Sequence, residues 1–177
     1  MSIATVTETF TLEDFLANPP DRQEWVNGQL VETTATVKHS RIQSRLSCYW
    51  ANYIIQSSQR GETLIALPCR TVNQGRRPDV SYLTAELLAQ FGEASALPQS
   101  PPLIAEIATP TDSAEDLFAK ANEYLESGCQ EVWLLFPESI RVLIITQNQT
   151  LAFKSGDVVS TQIVMLGFSV AIDELLR

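Results

Sequence analysis

The chain has 177 residues, a formal net charge of −9, and 45% hydrophobic against 19% charged side chains. That length suits a single domain with a full core, and the composition is that of an ordinary globular protein rather than a disordered or fibrous one. No apolar run reaches the roughly 18 residues of a membrane span, and the acidic first ten residues lack a basic and apolar leader, so the expected setting is the cytoplasm. Cys48, Cys69 and Cys129 are far apart and form no CxxC pair. They read as reduced thiols rather than metal ligands.

In chain order, residues 11–16 read as a short capped helix ended by Asn18-Pro19-Pro20. Residues 24–26 and 29–32 flank Asn27-Gly28, the strongest short-range signal for a two-residue hairpin turn. A long helix is expected over 38–58, with Ile42, Leu46, Tyr49, Trp50, Tyr53 and Ile54 on one face and Gly61 closing it. Residues 63–72 form a strand bent or interrupted at Pro68, Gln74-Gly75 a turn, and residues 78–83 a strand carrying Asp79. A short helix (84–91) and a proline-rich loop (92–102) follow. The run 103–108 has the pattern of a strand covered on both faces, with Glu106 in its middle. A charge at such a position needs a cation, a proton or a hydrogen-bond network.

Thr109-Pro110 ends that strand. Asp112 is then expected to open a helix with Glu115 as its capping-box partner, running to about residue 127 and stopping at Gly128. Leu117, Phe118, Ala121, Tyr124 and Leu125 make its apolar stripe, and Lys120 borders the stripe within reach of the strand that carries Glu106. Strands at 131–136, 141–146, 151–154 and 158–165 and a last helical turn at 173–177 complete the chain. The fold class is α/β (α+β): a mixed sheet flanked by helices with an antiparallel hairpin extension toward the C-terminus. A single domain over 1–177 is expected, with 1–9 as a flexible or accessory segment.

The charge is unevenly spread. Residues 33–78 carry seven basic side chains and one acidic, a net of +6, inside an otherwise acidic chain. Lys38, Arg41 and Arg45 recur at a spacing that suits the tracking of phosphates, and Arg76 and Arg77 precede Asp79. A solvated helix face accounts for the same pattern. Asp79 and Glu106 on neighbouring strands would make a hard-oxygen site of the kind magnesium or manganese prefers, with Lys120 to stabilise negative charge on a phosphodiester. A buried ion-pair network of the three is the structural alternative.

Glu24-Trp25-Val26-Asn27-Gly28-Gln29-Leu30-Val31-Glu32, His39, Arg77-Pro78-Asp79-Val80, Glu106-Ile107-Ala108-Thr109-Pro110-Thr111-Asp112, Lys120-x-x-x-Tyr124-x-x-x-Gly128 and Val132-Trp133-Leu134 occur in that order. Together they resemble a large bacterial family, the "putative restriction endonuclease" family of the PD-(D/E)xK superfamily, first catalogued as a domain of unknown function. The resemblance implies a restriction-endonuclease-like fold and a Mg²⁺- or Mn²⁺-dependent endonuclease acting on DNA. A homodimer is expected for such an activity, since a duplex has two strands to cut. Asp79 and Glu106 would hold the metal, and Asp79, Glu106, Lys120 and Glu24 would be catalytic, with His39 and Tyr124 as accessory residues. Ala108 stands where the superfamily pattern has a lysine on the strand, and Lys120 on the next helix takes that place. The alternative function is a non-catalytic module binding nucleic acid or protein on a nuclease scaffold.

Overall fold

The computed structural model describes residues 10–177, so the expected accessory segment 1–9 lies outside the described residues. The elements are α1 (Leu12–Ala17), β1 (Gln23–Val26), β2 (Gln29–Glu32), α2 (Val37–Gln56), β3 (Gly61–Ile65), β4 (Cys69–Arg70), β5 (Gly75–Arg76), β6 (Val80–Thr84) and α3 (Ala85–Phe91). They continue with β7 (Leu103–Ile107), α4 (Ala114–Glu126), β8 (Glu131–Phe136), β9 (Arg141–Ile145), β10 (Thr150–Lys154), β11 (Val158–Ser160), β12 (Ser169–Ala171) and α5 (Ile172–Leu176).

A six-stranded sheet in the order β10-β9-β8-β7-β6-β3 forms the centre. Only β7 and β8 run parallel, because α4 carries the chain between them; the other neighbours are antiparallel. A second sheet, β2-β1-β5-β4, stands beside it, and β11 pairs with β12. This is the expected mixed α/β architecture.

Side-chain alternation along β7 explains how one strand serves two cores. Leu103, Ala105 and Ile107 join Ile42, Leu46 and Trp50 of α2 on one face, where Trp50 meets Trp133 edge to face at 5.9 Å. Ile104 joins Leu117, Ala121, Tyr124 and Leu125 of α4 on the other. Burying each large side chain of this kind stabilises the fold by about 1.5–3 kcal/mol. Glu106 shares the parity of Ile104, so it too faces α4. Among the described residues no helix is long and apolar enough to cross a membrane, and all three cysteines are free, Cys69 and Cys129 being buried.

The Asn27-Gly28 turn forms with both residues at positive φ, 50° and 84°, joining β1 to β2 as expected. Several local expectations need correcting. The strand expected over 63–72 is two strands in two different sheets, divided around Ala66 (φ 51°) and Pro68. Gly75 lies in β5, opposite Trp25, rather than in a turn; a Cβ there would come within 2.3 Å of the Phe15 ring. Gly61 begins β3, and Ser58 at φ 58° is the positive-φ residue after α2. The N-cap of α4 is Ser113, whose hydroxyl accepts from Asp116 N–H. Asp112 is already engaged, accepting the Thr109 N–H at 2.7 Å. Phe118 falls outside the buried stripe and is 36% exposed. Asp79 precedes β6 rather than lying in it.

Candidate active site

The β1–β2 hairpin, the start of β6, the end of β7 and the outer turns of α4 border one cleft of about 1300 Å³. Glu24, His39, Asp79, Glu106 and Lys120 all line it. The pairing of β6 with β7 aligns Val80 with Ala105, which brings Asp79 level with Glu106. Asp79 is set by four hydrogen bonds, one of them from the Ala66 N–H to its backbone carbonyl at 3.3 Å. Its Oδ2 accepts the Ile107 N–H at 2.7 Å and lies 3.0 Å from His39 Nε2, and its backbone carbonyl accepts from Gln43 Nε2 at 2.9 Å. The side chain thus takes an amide at the end of β7 where β6 has not begun.

Glu106 is 5% exposed. Its Oε1 accepts from the Tyr124 hydroxyl at 2.6 Å and lies 3.0 Å from Lys120 Nζ. The ammonium also lies 3.0 Å from Glu24 Oε1. Lys120 and Tyr124 are four apart on α4, so both reach the strand from the same helical face. Glu24 accepts the Arg77 N–H at 2.9 Å and Arg76 Nη1 at 3.1 Å. Arg76 in turn forks onto Glu123 at 2.9 and 2.6 Å, and Glu123 also accepts from the Thr71 hydroxyl.

Burial pushes the Glu106 carboxyl up to about 7, with Asp79 and Glu24 adding to the rise against the pull of Lys120. Burial works against the charge on Lys120, but Glu106 and Glu24 outweigh it and raise its pKa. It is therefore a fixed cation at neutral pH and not a base. Glu24 is also opposed by burial, yet Lys120 and Arg76 hold it below the usual carboxylate range. Burial and Glu106 keep Tyr124 a neutral phenol that donates. Burial opposes the charge on His39, and the hydrogen bond and charge of Asp79 raise its pKa regardless.

One consequence concerns the protein free of divalent ions. A carboxyl whose folded pKa exceeds its ordinary 4.5 stabilises the fold below that value, and the stabilisation is lost as pH rises through 7. Thermal unfolding of the wild type compared with Glu106→Gln is expected to show a gap that moves against the wild type between about pH 5 and pH 8. A gap that stays constant over that range would contradict the assignment.

Of the residues expected at the site, the structure brings together Glu24, Asp79, Glu106, Lys120, His39 and Tyr124. Of the basic residues expected to track phosphates, it engages Lys38, Arg45, Arg76 and Arg77 and leaves Arg41 free among the described residues. Arg45 Nη1 donates to the carbonyls of Glu174 and Leu175, both at 3.0 Å, and to that of Arg177, serving the C-terminal end of α5. Arg77 donates to the carbonyls of Gln23, Ala66, Pro19 and Pro20. Arg76 is committed to Glu24 and Glu123. Lys38 pairs with the exposed Glu138 at 2.8 Å. Arg41 is exposed and has no hydrogen bond or ion pair among the described residues. These guanidinium groups satisfy backbone carbonyls and carboxylates, a role that charge spacing does not distinguish from phosphate binding. Glu123, Thr71 and Gln43 escaped sequence reasoning; the one available signal was that Glu123 lies three residues after Lys120.

The donor chemistry fits a hard divalent cation. Asp79 Oδ1 and Glu106 Oε2 accept no hydrogen bond among the described residues, while the second oxygen of each is fully engaged. Two carboxylate oxygens, with water and substrate oxygens for the remaining positions, is the protein share that magnesium takes. Among the described residues no three histidine, cysteine or carboxylate side chains converge as a ready-made metal cage.

Comparison with solved structures agrees on the fold, a mixed sheet flanked by helices. A crystal structure described as a putative nuclease belonging to DUF820, from Anabaena variabilis ATCC 29413, superposes with a TM-score of 0.80 at 21% identity. The match covers 94% of this chain and 97% of that one. A search of curated proteins gave no match. The model of the Uma2 family, described as "Putative restriction endonuclease", matches residues 7–173, and the chain belongs to that family.

Proposed function

We propose that the protein is an endonuclease that hydrolyses phosphodiester bonds of DNA with the help of Mg²⁺ or Mn²⁺. The observation that carries this reading is one cleft in which two carboxylates, one just before β6 and one on β7, each keep an oxygen uncommitted while a half-buried ammonium stands 3.0 Å from one of them. A divalent ion held by Asp79 and Glu106 would polarise the phosphodiester and acidify the attacking water. Lys120, a cation held rigidly by Glu24 and Glu106, stabilises the negative charge that develops on the phosphate. Tyr124 and His39 orient Glu106 and Asp79, and Arg41 is the remaining free cation on α2 for a phosphate backbone. Cutting both strands of a duplex calls for two such sites, which a homodimer supplies.

Lys120→Met is expected to reduce Mg²⁺-dependent cleavage by about 10²–10³-fold with DNA affinity nearly unchanged, read by plasmid nicking and fluorescence anisotropy. One observation favours a second reading. The cleft is lined by eight acidic residues against four arginines and lysines, a lining that repels a polyanion. A non-catalytic module would bind its partner with no cleavage in Mg²⁺ or Mn²⁺, and Lys120→Met would change nothing.

A further inference from the structure

We propose that Glu24 places Lys120 and is not a metal ligand, and that each chain accordingly holds one divalent ion. This rests on the metal-dependent reading above. Both oxygens of Glu24 are spent. Oε1 has Lys120 Nζ at 3.0 Å and the Arg77 N–H at 2.9 Å, and Oε2 has Arg76 Nη1 at 3.1 Å. A cation approaching Glu24 would meet two resident cations and find both oxygens engaged. Asp79 and Glu106 differ in this respect, since each retains an oxygen with no partner among the described residues. Asp112 and Asp116, also on the cleft, belong to the loop before α4 and to its first turn, where each turns Oδ2 to the Thr109 turn or to the Ser113 hydroxyl.

The surroundings of Glu24 fit a holder of the lysine. Glu123, Arg76, Glu24, Lys120 and Glu106 alternate in sign along a continuous chain of contacts of 2.6–3.1 Å. Glu123 fixes Arg76 with both oxygens, and Thr71 fixes Glu123. Lys120 is thus shared between two acids. When a cation draws on Glu106, the ammonium keeps Glu24 as its anchor and stays beside the phosphate. Glu24, Arg76 and Glu123 are positioning residues in this scheme.

Electron paramagnetic resonance titration of free Mn²⁺ with the full chain counts the ions. One ion per chain is expected for the wild type, a count that needs no variant to fold. Glu24→Gln should still bind one ion, with affinity within about tenfold of wild type, whereas Asp79→Asn and Glu106→Gln should lose it at millimolar Mn²⁺. At saturating metal, Glu24→Gln should lower kcat by about 10²-fold with KM for DNA little moved, and Glu123→Gln should shift kcat in the same direction by less. Two ions per chain, loss of Mn²⁺ in Glu24→Gln, or an unchanged kcat in that variant would each overturn the inference while leaving metal-dependent cleavage in place. No Mn²⁺ bound to the wild type would overturn both.

Discussion

Asp79→Asn is expected to lower cleavage by about 10³-fold or more, some 4 kcal/mol of transition-state stabilisation, with the protein still folded. The substitution removes the anionic oxygen that Asp79 offers to a cation. An amide oxygen remains to accept the Ile107 N–H, now held at 2.7 Å. Asp79→Ala is the less informative variant, because it leaves that N–H and His39 Nε2 without their acceptor. An unsatisfied buried donor costs about 1–3 kcal/mol, so the alanine protein should also unfold earlier. Nicking assays with and without chelator, beside thermal unfolding of both variants, separate the two effects. Cleavage at the wild-type rate in Asp79→Asn would remove this residue from the chemistry.

The largest effect on stability is expected far from the cleft, at Glu131. This carboxylate at the start of β8 is fully buried and takes four N–H groups. Oε1 accepts from Trp133 Nε1 at 2.7 Å, and Oε2 accepts from the backbone of Gln162, Ile163 and Val164 at 2.9, 2.8 and 3.4 Å. It ties the loop between β11 and β12 onto the central sheet beneath Met165 and Phe168 of the core. Glu131→Ala strands all four donors and opens a cavity, for an expected loss of about 3–5 kcal/mol. For a chain of this length that corresponds to a fall in Tm of roughly 10 °C. Glu131→Gln keeps the shape and one acceptor, so its loss should be smaller. A fall of less than about 2 °C in Glu131→Ala would show that the loop is held by packing alone.

Glu131 also shows where the sequence misleads. Residues 158–165 have the composition of one strand, yet only Val158–Ser160 pairs, because the amides of 162–164 are drawn to a carboxylate about thirty residues away. No local pattern encodes that competition. The same holds for Arg45 and Arg77, whose charges suggest a phosphate track and whose guanidinium groups satisfy carbonyls on distant segments. Features with a local physical cause were legible. They include the Asn27-Gly28 turn, the apolar stripes of α2 and α4, the apolar run of β7 and the closure of α4 by Gly128 at φ 104°. At the site, an acid inside an apolar strand announces that something must compensate it. Lys120 and Tyr124, at helical spacing, were the nearest candidates, and both contact Glu106. The part played by Glu24 through Arg76 and Glu123 depends on β1, β5 and α4 meeting, which only the fold decides.

Metal binding in this cleft depends on the two uncommitted oxygens of Asp79 and Glu106. Growing crystals of the wild type, soaking them in Mn²⁺ and recording anomalous scattering would locate the ion directly. A peak bonded to one oxygen of each residue, with Lys120 still beside Glu106, is the predicted result. A well-ordered cleft that stays empty at saturating Mn²⁺, or a peak bonded elsewhere, would contradict it.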